Sequence, residues 1–118
     1  MNIEEKKIDD VILLQLTGRI DAFTAEKLEE ELDSIINSWK LKFVINFGQV
    51  NYISSSGLRV FLGAYKRLND TGGKILFSKM TEPVLKVFSM AGFDKLFKIY
   101  SSDEDALQTL KTERKKAA

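Results

Sequence analysis

The chain has 118 residues, 44% hydrophobic and 30% charged, with a net charge of +1 and neither cysteine nor histidine. That length suits one domain burying roughly two-thirds of its unfolded surface, and near-neutral charge gives no field to hold nucleic acid directly or an anionic membrane. Disulfides, thiol nucleophiles, imidazole metal ligands and Ser-His-Asp or Cys-His catalysis are excluded, and no apolar run approaches the roughly 20 residues of a membrane helix. The charged start Met1-Asn2-Ile3-Glu4-Glu5-Lys6 lacks a signal-peptide apolar region. The expectation is a cytoplasmic protein without membrane insertion.

In chain order, a short strand is expected near Ile3 to Ile8, turned back by Asp9-Asp10, and an apolar strand over Val11 to Leu16. Gly18 and Asp21 mark a loop. Thr24 is an expected N-cap, after which Ala25, Leu28, Leu32, Ile35, Ile36 and Trp39 recur at helical spacing, Trp39 as a core plug. Asp21 could order the loop, cap that helix or serve a surface role; the spacing leaves these open. Phe43 to Phe47 reads as a buried strand, and a helix from about Ser55 to Asn69 stops at Asp70-Thr71-Gly72-Gly73, where glycine suits a left-handed cap. Ile75-Leu76-Phe77 is a short strand, and Thr81 an expected cap for a third helix with Pro83 in its first turn and Val84, Val87, Phe88 and Ala91 inward. Leu96 to Tyr100 is a last strand, and Ser102 opens a final helix with Asp105 three residues on. Met80 and Met90 read as core residues. The alternation implies an α/β fold with a mostly parallel sheet, its sites gathered at the carboxyl ends of the strands.

Three hydroxyls, Ser54-Ser55-Ser56, fall where a helix begins, with its first N–H groups unpaired and a partial positive charge. They read as simple capping or as a modification edge, where an added phosphate would gain donors and bring nearly two negative charges. Gly57, unfavourable in a helix's first turn, would let another backbone or a phosphate approach. Gly72-Gly73-Lys74 is a turn rather than a phosphate loop, since Leu68 and Ile75 stand where the motif needs glycine and a hydroxyl. Asp103, Glu104 and Asp105 favour a helix N-terminus over a metal cluster. No metal or other cofactor is expected.

Taken together these pieces resemble the STAS domain, and among its members the free-standing bacterial anti-sigma factor antagonists. Gly18-Arg19-Ile20-Asp21-Ala22 resembles the family's G-x-[IL]-D-A segment, and Val50 through Leu58 its V-x-[YF]-[IM]-D-S-[SA]-G-L signature. Leu62 to Arg67 and Gly92 to Phe97 follow the pattern in order. The resemblance implies a STAS domain over residues 1–112, a mixed, mostly parallel sheet of four to five strands flanked by about four helices, and a disordered basic tail at 113–118. It also implies a non-enzymatic regulator that binds an anti-sigma factor/serine kinase and releases a sigma factor. Phosphorylation at Ser55, with Ser56 or Ser54 as lesser candidates, would switch it off, and a PP2C-type phosphatase would reset it. Asp21, Gly48, Asn51, Ser54, Ser55, Ser56, Gly57 and Arg59 are the expected partner-binding residues. Three departures stand out: Ser54 where the family has Asp, Asn46 where its strand often has Asp, and Arg59 where a glycine is common. Arg59 could pair with an acidic partner or with phosphate. The alternative is a STAS subunit of a sensory or lipid-transport complex without a phosphorylation cycle.

Overall fold

Side-chain alternation across the pleat decides how the sheet is covered. Ile12, Leu14 and Leu16 of β2 (Val11–Thr17), Phe43, Ile45 and Phe47 of β3 (Lys42–Gln49), and Ile75 and Phe77 of β4 (Lys74–Ser78) all enter one buried cluster. The same cluster takes in the apolar faces of α1 (Ala22–Asn37), α2 (Ser55–Asp70) and α3 (Glu82–Met90). Val11, Val44 and Leu76, of opposite parity, pack with Ala106 and Leu110 of α4 (Asp103–Ala117). Three helices therefore cover one face of the sheet and α4 covers the other. This computed structural model describes residues 1–37 and 42–117; the expected core plug Trp39 lies outside them.

The five strands run in the order β1-β2-β3-β4-β5. Only β1 (Asn2–Ile8) is antiparallel, folded back on β2 through Asp9 at φ 54°, a left-handed conformation that aspartate tolerates. The other three pairings are parallel. β5 (Lys98–Tyr100) is shorter than the expected Leu96 to Tyr100, because the Leu96 and Phe97 N–H groups donate back to the Phe93 carbonyl and hold a turn there.

The aromatic side chains gather behind the carboxyl ends of the strands. The Phe47 ring lies 5.4 Å from Phe61 of α2, 5.6 Å from Phe77 of β4 and 5.9 Å from Phe88 of α3. Tilted and edge-to-face pairs at such distances add to plain burial, so the last apolar residue of β3 fixes both helices. Arg67 of α2 also reaches Asp33 and Asn37 of α1.

α2 ends as its sequence implies. Gly72 adopts φ 78°, and the N–H groups of Gly72 and Gly73 donate to the carbonyls of Asn69 and Leu68, the paired closure of a Schellman motif. Ser102 accepts from the Asp105 N–H at 3.1 Å and caps α4 as expected.

Four expectations need correction. α1 begins at Ala22, so Thr24 sits in its first turn rather than at the N-cap. Thr81 occupies the N-cap position of α3 but its hydroxyl does not cap; it donates to the Val50 carbonyl at 2.6 Å. Met90 is 81% exposed rather than in the core, whereas Met80 packs against it. The backbone of residues 113–117, expected as a frayed tail, continues α4; Glu, Arg, Lys and Ala are all strong helix formers.

Candidate functional site

β2 and β3 leave the sheet side by side, and their pairing outlasts the strands. Gly18 donates to the Gln49 carbonyl at 3.1 Å, Ile20 to Tyr52 at 3.0 Å, and Ser54 to Ile20 at 2.8 Å. Ile20 and Ile53 form an isolated parallel bridge with both side chains buried. The loop before α1 and the loop before α2 are thus zipped together. Asp21 and Ser54 follow the bridge in step, and the two helices start next to one another.

The mouth of α2 is built from its own serines. Ser54 is extended and is the N-cap, its Oγ accepting from the Gly57 N–H at 3.2 Å. That spends Ser54 on capping. Ser55 begins the helix with its side chain exposed, and Ser56 is half-buried. No acidic residue lies in the first turn. Gly57 is buried, so it offers no side surface to a partner. A Cβ there would stand 2.6 Å from Ile20 Cγ2 and 2.7 Å from Ile53 Cγ1. The close approach that requires glycine is therefore by the two isoleucines of the bridge, not by a phosphate or another backbone.

Asp21 resolves toward capping. Its Oδ1 accepts from the N–H groups of Thr24 at 2.9 Å and Phe23 at 3.1 Å, while Thr24 Oγ1 accepts from the Asp21 N–H at 2.9 Å. This reciprocal box has aspartate at the cap and threonine at the third helical position. The Thr24 backbone N–H, then its hydroxyl, with smaller help from the Phe23 N–H and the Arg19 charge, hold the Asp21 carboxyl below its ordinary value. Hydrogen bonds to the charged form act in that direction. A depressed folded-state pKa contributes stability above the unfolded value, lost as pH falls through the folded value. Asp21→Asn keeps the cap but removes that charge. In urea unfolding it should therefore lie below wild type at pH 7 and converge toward it near pH 3; a constant gap across that range would contradict the carboxylate's role.

Beside the cap, the exposed Arg19 guanidinium lies 4.2 Å from the Tyr52 ring centroid, a cation–π contact joining the two loops. Below them, buried Asn46 accepts from the Gly48 N–H at 2.8 Å and donates to both carboxylate oxygens of Asp103, which also accepts from the buried Ser78 hydroxyl. Thr81 holds Val50 from the α3 side. The end of β3 and the loop from Val50 to Ile53 are thereby tied to β2, α3 and α4.

Of the expected partner-binding residues, Asp21, Ser54, Ser55 and Ser56 come together along this edge; Gly48 lies near the end of β3, the exposed Asn51 lies in the tied loop, and Arg59 is exposed one turn into α2. The sequence reading passed over Phe23, 82% exposed in the first turn of α1, and Tyr52, 40% exposed. Phe23 precedes Ala25 by two residues, roughly opposite on the helical wheel, and that spacing could have flagged it.

The STAS domain family matches residues 2–106. The chain belongs to the STAS domain family. Its STAS relatives include BtrV of Bordetella bronchiseptica, named as a candidate anti-sigma factor antagonist, which is 33% identical over 112 residues and covers 95% of this chain and 97% of its own. The anti-sigma F factor antagonist of Paenibacillus polymyxa is 29% identical, covering 93% of this chain and 95% of its own. Among solved structures, the unphosphorylated form of the anti-sigma factor antagonist SpoIIAA superposes with a TM-score of 0.84 at 18% identity, covering 94% of this chain and 97% of that one. The expected mixed sheet of the STAS fold is therefore correct, with five strands and four helices among the described residues. Among the described residues, no helix is long and apolar enough to cross a membrane.

Proposed function

We propose that this STAS domain acts in the cytoplasm as an anti-sigma factor antagonist. It binds an anti-sigma factor that is also a serine kinase, so freeing a sigma factor, and is switched off by phosphorylation of Ser55. The observation that carries this reading is the Ser55 side chain, exposed as the first residue of α2 on the edge built by the zipped loops. The full-length similarity to proteins named as anti-sigma factor antagonists supports the partner class. Ser54 lends itself less to modification, because its oxygen caps the helix.

In the modification step the kinase transfers the γ-phosphoryl group of ATP to Ser55 Oγ; the hydroxyl proton is lost and ADP leaves. A PP2C-type phosphatase would hydrolyse the ester and restore the hydroxyl. The chain's own part is display. It has no histidine or cysteine to serve as base, and the Asp21 carboxylate on the adjoining loop is engaged in capping rather than in activating a serine nucleophile.

The test is to incubate purified chain with its anti-sigma partner and ATP. Wild type should take up one phosphate at Ser55, while Ser55→Ala should bind the partner and take up none. Labelling of Ser55→Ala as strongly as wild type would remove the site assignment. Copurification with transporter subunits, and no phosphopeptide spanning Ser54 to Ser56 from cells, would favour the sensory or lipid-transport reading.

A further inference from the structure

Arg59, expected to meet a partner or a phosphate, lies one turn into α2. It is exposed and has no ion-pair partner among the described residues. It follows Ser55 by four residues in the same helix, and positions i and i+4 lie one above the other on one face, with Cβ atoms about 5–6 Å apart. The Cα–Cβ bonds of a helix tilt toward its N-terminus, which puts the turn that begins with Ser55 within reach of a long side chain at position 59. On the two zipped loops Asp21 is engaged by the Thr24 and Phe23 N–H groups and Arg19 by the Tyr52 ring; from neighbouring elements, Lys79 lies against Gly48 and Glu29 of α1 lines a groove with Val60 and Gly63 of α2. No acidic side chain in the first turn of α2 competes for the guanidinium.

We propose that a phosphate on Ser55 is captured in cis by Arg59, so that one modification adds an anion to the docking face and withdraws a cation from it. This rests on the reading of Ser55 as phosphoacceptor. A planar guanidinium presents two parallel donors to phosphate oxygens, and its five-donor fork reaches across one helical turn. In the unmodified protein the same guanidinium stands free beside a neutral hydroxyl, available to a carboxylate on the partner. After modification the two positions form an internal ion pair. The partner then meets residual negative charge where it had been offered positive charge.

The experiment needs no kinase. Phosphoserine is installed at position 55 during translation in the full chain, and the phosphate is titrated by phosphorus NMR in wild type, Arg59→Ala, Arg59→Gln and Arg59→Lys. A phosphoserine ordinarily takes its second charge near pH 6. Capture by Arg59 predicts that wild type titrates about half a pH unit or more below Arg59→Ala and Arg59→Gln, because a nearby opposite charge favours the dianion. Arg59→Lys should fall between them, and the gap should shrink in 1 M salt. Arg59 is exposed, so these variants should fold, and amide spectra check this directly. Coincident titrations of wild type, Arg59→Ala and Arg59→Gln overturn the inference. Failure of the anti-sigma kinase to label Ser55 would count instead against the proposed function, since the installed phosphate reports on Arg59 regardless.

Discussion

Phosphoserine at position 55 is expected to weaken binding of the anti-sigma partner by at least about 100-fold, measured by calorimetry against the unmodified chain. The magnitude follows from where the charge appears. Ser55 is exposed in the free protein, where water and the first-turn N–H groups of α2 solvate an added phosphate. In a complex that covers this edge, the same group of charge −1.5 to −2 would be stripped of water against a surface fitted to a hydroxyl. Burying an imperfectly paired charge costs several kcal/mol, and each 1.4 kcal/mol is tenfold in affinity. Ser55→Asp should give a smaller loss, because one planar carboxylate carries less charge and fewer acceptor oxygens. A change of less than about threefold on phosphorylation would mean that the edge is not covered by the partner.

Gly57→Val should destabilise the whole domain and, with it, partner binding. A valine Cβ would meet Ile20 Cγ2 at 2.6 Å and Ile53 Cγ1 at 2.7 Å, and its two methyl groups need further room. Overpacking of this kind costs about 1–3 kcal/mol, more than the helix-propensity gain of under about 1 kcal/mol from replacing glycine. Ile20 and Ile53 are bridge residues whose backbones carry the zipper between the loops. Relief of the clash by moving them would therefore shift Ser54 and Ser55. Urea unfolding should show a lower midpoint with an unchanged slope, and affinity should fall even under conditions where the variant is fully folded. Wild-type stability and affinity together would show that the isoleucines repack freely.

The fold was legible where one signal dominated. The strand-length run Phe43 to Phe47 could be little else, and the spacing Leu58, Phe61, Leu62, Tyr65 and Leu68 marked α2, whose start at Ser55 was also anticipated. Errors fell where one local cue admitted two partners. Thr24 has a cap residue's chemistry, but Asp21 three residues earlier accepts two N–H groups and takes the position. Thr81 stands at a helix start, yet the Val50 carbonyl, distant in sequence, draws its hydroxyl away. Gly57 was noticed for the right reason, a need for close approach, and given the wrong visitor, because the packing of Ile20 beneath α2 is a long-range fact. Met90 lies at the end of α3 and turns outward, which hydrophobicity alone does not reveal. At the site, the serine edge and Asp21 were readable from residue type and order. The Arg19–Tyr52 contact emerges only once the two loops are seen zipped together.

The bond between Asn46 and Asp103 carries an evolutionary consequence. Asn46→Asp made alone in this chain would set two carboxylates about 3 Å apart, with Ser78 able to donate to only one of them. Positions 46 and 103 are thus an epistatic pair, one on β3 and one at the start of the helix that covers the opposite face of the sheet. An acid at position 46 is therefore compatible with this packing only when position 103 gives up its charge, although neither residue lies on the exposed edge.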